Sequence, residues 1–244
     1  MKNPSNSPGA EDEKTVIQNL TDEKNNLLKI ISHDIRGPFN QMFALLQMFE
    51  MESGDLTDTQ KDYIDRMYRA VLGGMEMIRN LHDARSLDNG NITLNPEPVE
   101  IKKLIRTSVR NFSIQCRIKG SKVIYNDSGP DVTISTDKIL LGKIFDNVLS
   151  NALKYSEPGS EVMIGSTQEG GKNIISVKDQ GPGLPAEELN RIFSKFQKLT
   201  PKPTLGEATT GLGMYLVREF SDMLNAEITV ANNTGKGLEV RIII

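Results

Sequence analysis

The sequence holds only two histidines, and His33 is followed directly by Asp34. A carboxylate beside an imidazole can orient the ring and accept a proton from one of its nitrogens. The other nitrogen then keeps a free lone pair and can attack an electrophile such as phosphorus. Pro38 cannot donate to the carbonyl of Asp34, so it bends a helix just past the histidine, and Gly37 adds slack there. A second set of groups lies far along the chain. Asn147 and Asn151 are four apart, and Lys154 follows three later, with Lys143 beside them. On a helix all four share one face, and two amides with an ammonium suit Mg²⁺ and phosphate oxygens. An isolated polar face of this kind would also serve merely to meet solvent. Asp179 ends a run in which Ile175 and Val177 point to the same side, so its carboxylate is aimed at a buried layer and needs a donor. Gly181-Pro182-Gly183 follows as a turn. Gly211-Leu212-Gly213, after Thr209-Thr210, opens a helix whose exposed N–H groups offer an anion site.

These groups need elements to hold them. Residues 11–87 have helical periodicity. One stripe runs through Val16, Leu20, Leu27, Ile31, Ile35, Pro38, Met42, Leu45 and Phe49. His33 falls about 200° from Ile31 at the helical repeat, so it projects away from that stripe. Ser53-Gly54-Asp55 breaks the pattern, and Thr57 or Asp58 can cap a second helix. Its stripe is Tyr63 or Ile64, Met67, Val71, Gly74, Ile78 and Leu81. His82 lies at the edge of that stripe without a comparable motif and reads as structural. Together the segments predict a helical hairpin with apolar faces in search of a partner. A dimeric four-helix bundle is the simplest solution, and packing against the rest of the chain is the other.

After the turn cluster Asp88-Asn89-Gly90-Asn91 the texture changes. Strand patterns at 92–94, 123–125, 161–167, 173–179, 228–231 and 238–244 alternate with helices at 137–155 and 211–224. Turns are expected at Gly170-Gly171 and at 234–237. This predicts an α/β sandwich. The chain therefore divides into a disordered lead-in at 1–10, a hairpin at 11–90 and an α/β domain at 91–244.

Composition narrows the function. Net charge is −3, which does not point to nucleic acid or an anionic membrane as partner. Cys116 is the single cysteine, so no intrachain disulfide forms and a reducing, cytoplasmic setting is expected. No run approaches the roughly 18 apolar residues that span a bilayer. A membrane anchor, if the parent protein has one, would precede this sequence.

The run Ser32-His33-Asp34-Ile35-Arg36-Gly37-Pro38-Phe39 resembles the H box of sensor histidine kinases. Four further boxes follow in that family's order. Residues 146–155 resemble the N box, Asp179 with Gly181 and Gly183 the G1 box, residues 192–198 the F box, and Thr210-Gly211-Leu212-Gly213 the G2 box. Thr209 replaces a frequent first glycine of the last.

The resemblance implies a histidine-kinase/gyrase-type ATP-binding domain and an autophosphorylating protein histidine kinase of a two-component system. It implies that His33 is the phosphorylated nucleophile and Asp34 its base. Asn147 would ligate Mg²⁺ with support from Asn151, Lys154 would contact phosphate, and Tyr155 would lie near adenine or ribose. The adenine amine would donate to Asp179. Phe193 and Phe196 would anchor a mobile lid over residues 199–210, with Lys198 on phosphate. The implied partners are a second copy of the chain and a response-regulator receiver domain. Gly37 stands where the family often has Thr or Asn, which implies weak or absent phosphatase activity. Related ATPases carry a glutamate on the N-box helix to activate water, whereas Asn147 cannot act as a base. Two other readings are an anti-sigma-type serine/threonine kinase and a non-catalytic ATP-binding dimeric scaffold.

Overall fold

The computed structural model describes residues 34–244. His33, the expected lead-in and the part of the first stripe from Val16 to Ile31 lie outside the described residues.

Helix α1 runs over residues 34–52. A short turn joins it to α2, Asp58–Asp88, which Thr57 caps: its side chain accepts from the Gln60 N–H, and Gln60 Oε1 accepts from the Thr57 N–H at 2.9 Å. This reciprocal pair satisfies two amides that a helix start otherwise leaves open. The hairpin closes around Leu46, Ile64, Tyr68 and Val71, with Phe39 and Phe43 packed beside them. Tyr68 is fully buried and meets Phe43 edge-on at 5.8 Å between ring centroids. Gly74 makes room for the Phe39 ring, which any side chain there would overlap.

The buried face of α2 includes Ile64 and Val71 of the expected stripe but is wider than it and omits Met67. Tyr63 and Met67 are exposed, while Tyr68, Asn80, Asp83 and Ala84 are buried. The first stripe also faces outward in the single chain: Ile35, Met42, Leu45 and Phe49 are all exposed.

The remaining elements are β1 Pro96–Glu100, α3 Ile101–Asn111, α4 Ser113–Lys119, β2 Lys122–Asn126, β3 Thr133–Asp137, α5 Lys138–Tyr155, β4 Glu161–Glu169, β5 Lys172–Lys178, α6 Ala186–Leu189, α7 Gly213–Met223, β6 Glu227–Asn232 and β7 Leu238–Ile243. Five strands form one sheet in the order β2-β4-β5-β7-β6, with β2 and β4 parallel and the other neighbours antiparallel. Helices α3, α5 and α7 cover one face, burying Ile105, Phe145, Leu149, Leu216 and Phe220 against Ile164, Ile175 and Ile242. The other face carries polar residues such as Ser176 and Arg241 together with exposed Ile124 and Met163. A helical hairpin followed by an α/β sandwich is therefore the architecture.

The expected strand at 92–94 is absent. Pairing begins later, where β1 and β3 form a separate two-stranded antiparallel ribbon. The prolines at 96 and 98 lack the amide that a central strand must donate, and a two-stranded ribbon tolerates them. Asp137 closes this ribbon onto α5. One carboxylate oxygen accepts from Leu140 N–H as the helix cap, and the other accepts from Asn95 N–H, each at 2.9 Å.

Candidate functional site

A cavity of about 240 Å³ opens between the end of α5, the end of β5, the turn after it, and the segment leading into α7. Its apolar wall is built from Val148 and Ala152 of α5, Val177 of β5, Val240 of β7 and Met214 of α7. Each sits on the core-facing side of its element, so the hydrophobic layer that folds the domain also floors the cavity.

The polar groups converge from turns and helix ends. Asp179 follows β5 and is 8% exposed. Its Oδ1 accepts from Gly181 N–H at 2.8 Å and from Leu238 N–H at 3.0 Å. Burial raises its pKa above the usual carboxylate value, and these two amides hold it down in part. Gly237 packs its backbone against Asp179 at a φ of 93°, where a Cβ would overlap the Asp179 carbonyl. Gly183, with φ 74°, likewise leaves no room for a Cβ beside Asn232, and Asn232 clamps Leu184 through both its backbone groups. Gly181 has no room for a Cβ beside the Tyr155 carbonyl. The aspartate and the three glycines thus form one tight unit at the end of the sheet.

On α5, Asn151, Lys154 and Tyr155 line the cavity. Burial raises the Tyr155 hydroxyl's pKa, with nearby Glu76 and Glu207 adding to it. Asn147 lies deeper, 6% exposed, with its Nδ2 donating to the Lys143 carbonyl at 3.0 Å. Its Oδ1 is turned toward Gly213, 3.4 Å from where a Cβ would stand, and Asn151 lies next to the same glycine. The Asn147 amide oxygen beside a bare backbone turn is a hard ligand that fits a small hard cation, while Asn151 presents its Nδ2 to the same glycine, where it can donate to a phosphate oxygen.

Thr210, Gly211 and Gly213 also line the cavity. The Thr210 hydroxyl accepts from Leu212 N–H at 3.2 Å, and Gly211 adopts φ 68° with its backbone pressed against Phe196 and Gln197. Leu212 is buried in the core and positions this turn from behind. Lys198 reaches the cavity mouth. Phe193 packs on the core with the Arg218 guanidinium 4.4 Å from its ring centre.

Phe196, the other expected lid anchor, lies at the surface. It is 63% exposed and has a positive φ of 59°, and the Lys195 ammonium lies 5.7 Å from its ring centre. Leu199, Pro201 and Pro203 take the neighbouring positions along the cavity.

Two lining residues come from the hairpin and were not visible from the sequence: Glu76 and Asn80. Lys154 Nζ meets Glu76 Oε1 at 2.5 Å. Nothing in local periodicity says which face of α2 a separate module will cover. Asp34 begins the described part of α1 and is exposed. His82 Nδ1 lies 3.4 Å from Asp83, whose Oδ1 also accepts from Lys143 at 2.8 Å, in keeping with a structural role.

Residues 23–90 match the family described as the His Kinase A (phospho-acceptor) domain, and residues 136–244 match the histidine kinase-, DNA gyrase B-, and HSP90-like ATPase family. Among curated proteins, the circadian input-output histidine kinase CikA of Synechococcus elongatus is 26% identical over 88% of this chain and 29% of its own length. The sensor protein SrrB of Staphylococcus aureus is 26% identical over 90% of this chain and 37% of its own. The chain thus spans well under half the length of these relatives. Among solved structures, full-length ShkA in complex with AMPPNP superposes with a TM-score of 0.62 at 28% identity, covering 89% of this chain and 45% of that one. The Acinetobacter baumannii histidine kinase AdeS shares the fold, with a TM-score of 0.57 at 18% identity over 87% and 96%. An ATP-binding site is thereby supported at this cavity's domain. No helix among the described residues is long and apolar enough to cross a membrane.

Proposed function

The chain belongs to the sensor histidine kinases, and from that premise we propose that it transfers the γ-phosphoryl group of ATP to His33 and then to an aspartate of a response regulator. The observation that carries this reading is one chain joining a phospho-acceptor match across His33 to a cavity lined by Asn151, Lys154 and Asp179.

Adenine would lie against the apolar wall of Val148, Val177 and Val240, with its exocyclic amine donating to Asp179. The buried, partly amide-satisfied carboxylate favours that donor because binding would bring a further hydrogen bond into a dry site. The triphosphate would extend toward Lys154, Lys198 and the backbone amides of Gly211 and Gly213. Asn147 and Asn151 would hold Mg²⁺, which offsets charge on phosphate oxygens when bound.

One nitrogen of His33 would attack the γ-phosphorus in line. The N–P bond forms as the bond from phosphorus to the ADP oxygen breaks, and ADP leaves with that electron pair. Asp34 would accept the proton from the other ring nitrogen, keeping the phosphorylated ring from a full positive charge. Asn147 offers no base for water, so transfer is favoured over hydrolysis.

We place the boundary between the two modules at the Asp88–Asn91 turn, where Gly90 adopts φ 64° and lets the α/β domain swing. The exposed stripe of Ile35, Met42, Leu45 and Phe49 fits pairing of two hairpins in a four-helix bundle. Gly37 has open space around it and no side chain to position water, so phosphatase activity would be weak.

Incubation with γ-labelled ATP tests the proposal. Label should enter the wild-type chain and be lost on acid treatment, as a phosphoramidate is. His33→Gln should take up none. Acid-stable label would favour a serine/threonine kinase instead.

A further inference from the structure

The hairpin meets the α/β domain at α4, which packs on the Tyr68 cluster, and along one face of α2, where three ion pairs share one polarity. Glu76 holds Lys154 at 2.5 Å, Asp83 holds Lys143 at 2.8 Å, and Asp88 holds Lys195 at 2.8 Å. Every acid in these three pairs comes from α2, and every lysine comes from the nucleotide domain. The Glu76–Lys154 pair is the most enclosed of them, its side chains only 19% and 12% exposed, and Glu76 Oε2 also accepts from Ser150 Oγ at 3.2 Å. Arg69 of α2 donates to the Leu205 carbonyl at 3.0 Å, which ties the lid segment to the same helix. Thr204 N–H in turn donates to the Lys154 carbonyl.

We propose that α2 is a built-in competitor of nucleotide: the Glu76 carboxylate occupies the Lys154 ammonium that the phosphates of ATP require, so hairpin docking on this face and nucleotide binding exclude each other. This rests on the reading of Lys154 as a phosphate ligand. Glu76 and Asn80 both line the cavity, so a triphosphate entering it meets a carboxylate where it needs a cation. In so enclosed a place the repulsion is poorly screened. A lysine already neutralised attracts phosphate weakly, and a carboxylate stripped of its lysine is costly to leave buried. The contact therefore has two consistent arrangements, with Lys154 on Glu76 and α2 docked, or with Lys154 on phosphate and α2 released. Release would also free Asp88 and the Asn89–Gly90 turn, which the domain must pivot about to approach His33.

Calorimetric titration of the 244-residue chain with Mg-AMPPNP, wild type and Glu76→Gln, tests this. The variant should bind roughly fivefold more tightly or better, the lower end of ordinary coupling between two sites. In the unaltered protein, saturating Mg-AMPPNP should speed amide hydrogen exchange across residues 76–88 as α2 leaves the domain, a readout that needs no variant to fold. Equal or weaker affinity in Glu76→Gln would overturn the proposal. So would slowed exchange across 76–88, which would mean that α2 lends Glu76 and Asn80 to the nucleotide. Absence of binding in both proteins would overturn the nucleotide reading itself, a result distinct from either.

Discussion

Asp146 and Asp179 show how differently two buried carboxylates can be employed in one domain. Burial raises the pKa of both, but Asp179 receives two backbone amides, whereas Asp146 is eased only by Ser108 and by the charge of Arg79 on α2. Asp146 Oδ1 has no hydrogen-bond partner. A carboxyl whose folded-state pKa lies above its ordinary value of 3.8 contributes its full stability below that value and loses it as pH rises through the folded-state value. Asparagine has the same shape and no such loss. Asp146→Asn should therefore gain melting temperature over wild type as pH rises from about 4 to 7. Melting curves across that range check it, and a difference that stays flat or shrinks would mean the charge is satisfied in the folded protein. The same comparison explains why the sequence pointed to Asp179 and passed over Asp146. A carboxylate ending an apolar strand signals itself by parity, while one on a helix can turn to either side.

At the scale of elements, local rules were legible wherever local chemistry closes the structure. Thr57 and Asp58 both offered a start for α2, and the cap that forms is the Thr57 box with Gln60. Thr57→Ala should cost about 1 kcal/mol, as loss of a side-chain cap does. Chemical denaturation should show this as a lower midpoint with an unchanged slope. An unchanged midpoint would mean that packing of Leu56 and Ile64 alone fixes the helix start. Of the expected α5 face, Asn151 and Lys154 line the cavity while Asn147 lies deeper, a difference of depth that helical periodicity does not reveal. The Gly170-Gly171 turn was readable, because both residues adopt positive φ between β4 and β5. Elements set by distant partners were not. The β1–β3 ribbon joins segments far apart in sequence, and the prolines at 96 and 98 disguise it. Helix α4 is short, and what holds it lies in the hairpin: Ile114 and Ile118 pack on the Tyr68 cluster, while Arg117 reaches Glu50 and sits over the Tyr68 ring.

At the scale of the whole molecule, two apolar or charged faces of the hairpin have different fates. One face of α2 is occupied by the nucleotide domain through Glu76, Asp83 and Asp88. Among the described residues, the outer stripe of α1 is exposed. Exposed Ile35, Met42, Leu45 and Phe49 share one face of α1 and make an apolar surface that a second hairpin would bury. Wild type is predicted to sediment as a dimer, and charge placed there should prevent pairing, so Phe49→Glu combined with Leu45→Glu should sediment as a monomer at the same concentration. Dimeric sedimentation of the double variant would place the interface elsewhere. The pattern explains why the first stripe was readable and its burial was not, since periodicity reveals an apolar face without naming its partner. The central claim concerns His33, one of two histidines in the chain. Mass spectrometry at neutral pH after incubation with MgATP, with fragmentation that preserves phosphoramidates, tests it most directly. The account predicts phosphate on His33 alone, and phosphate on His82, on a serine or threonine, or on no residue would contradict it.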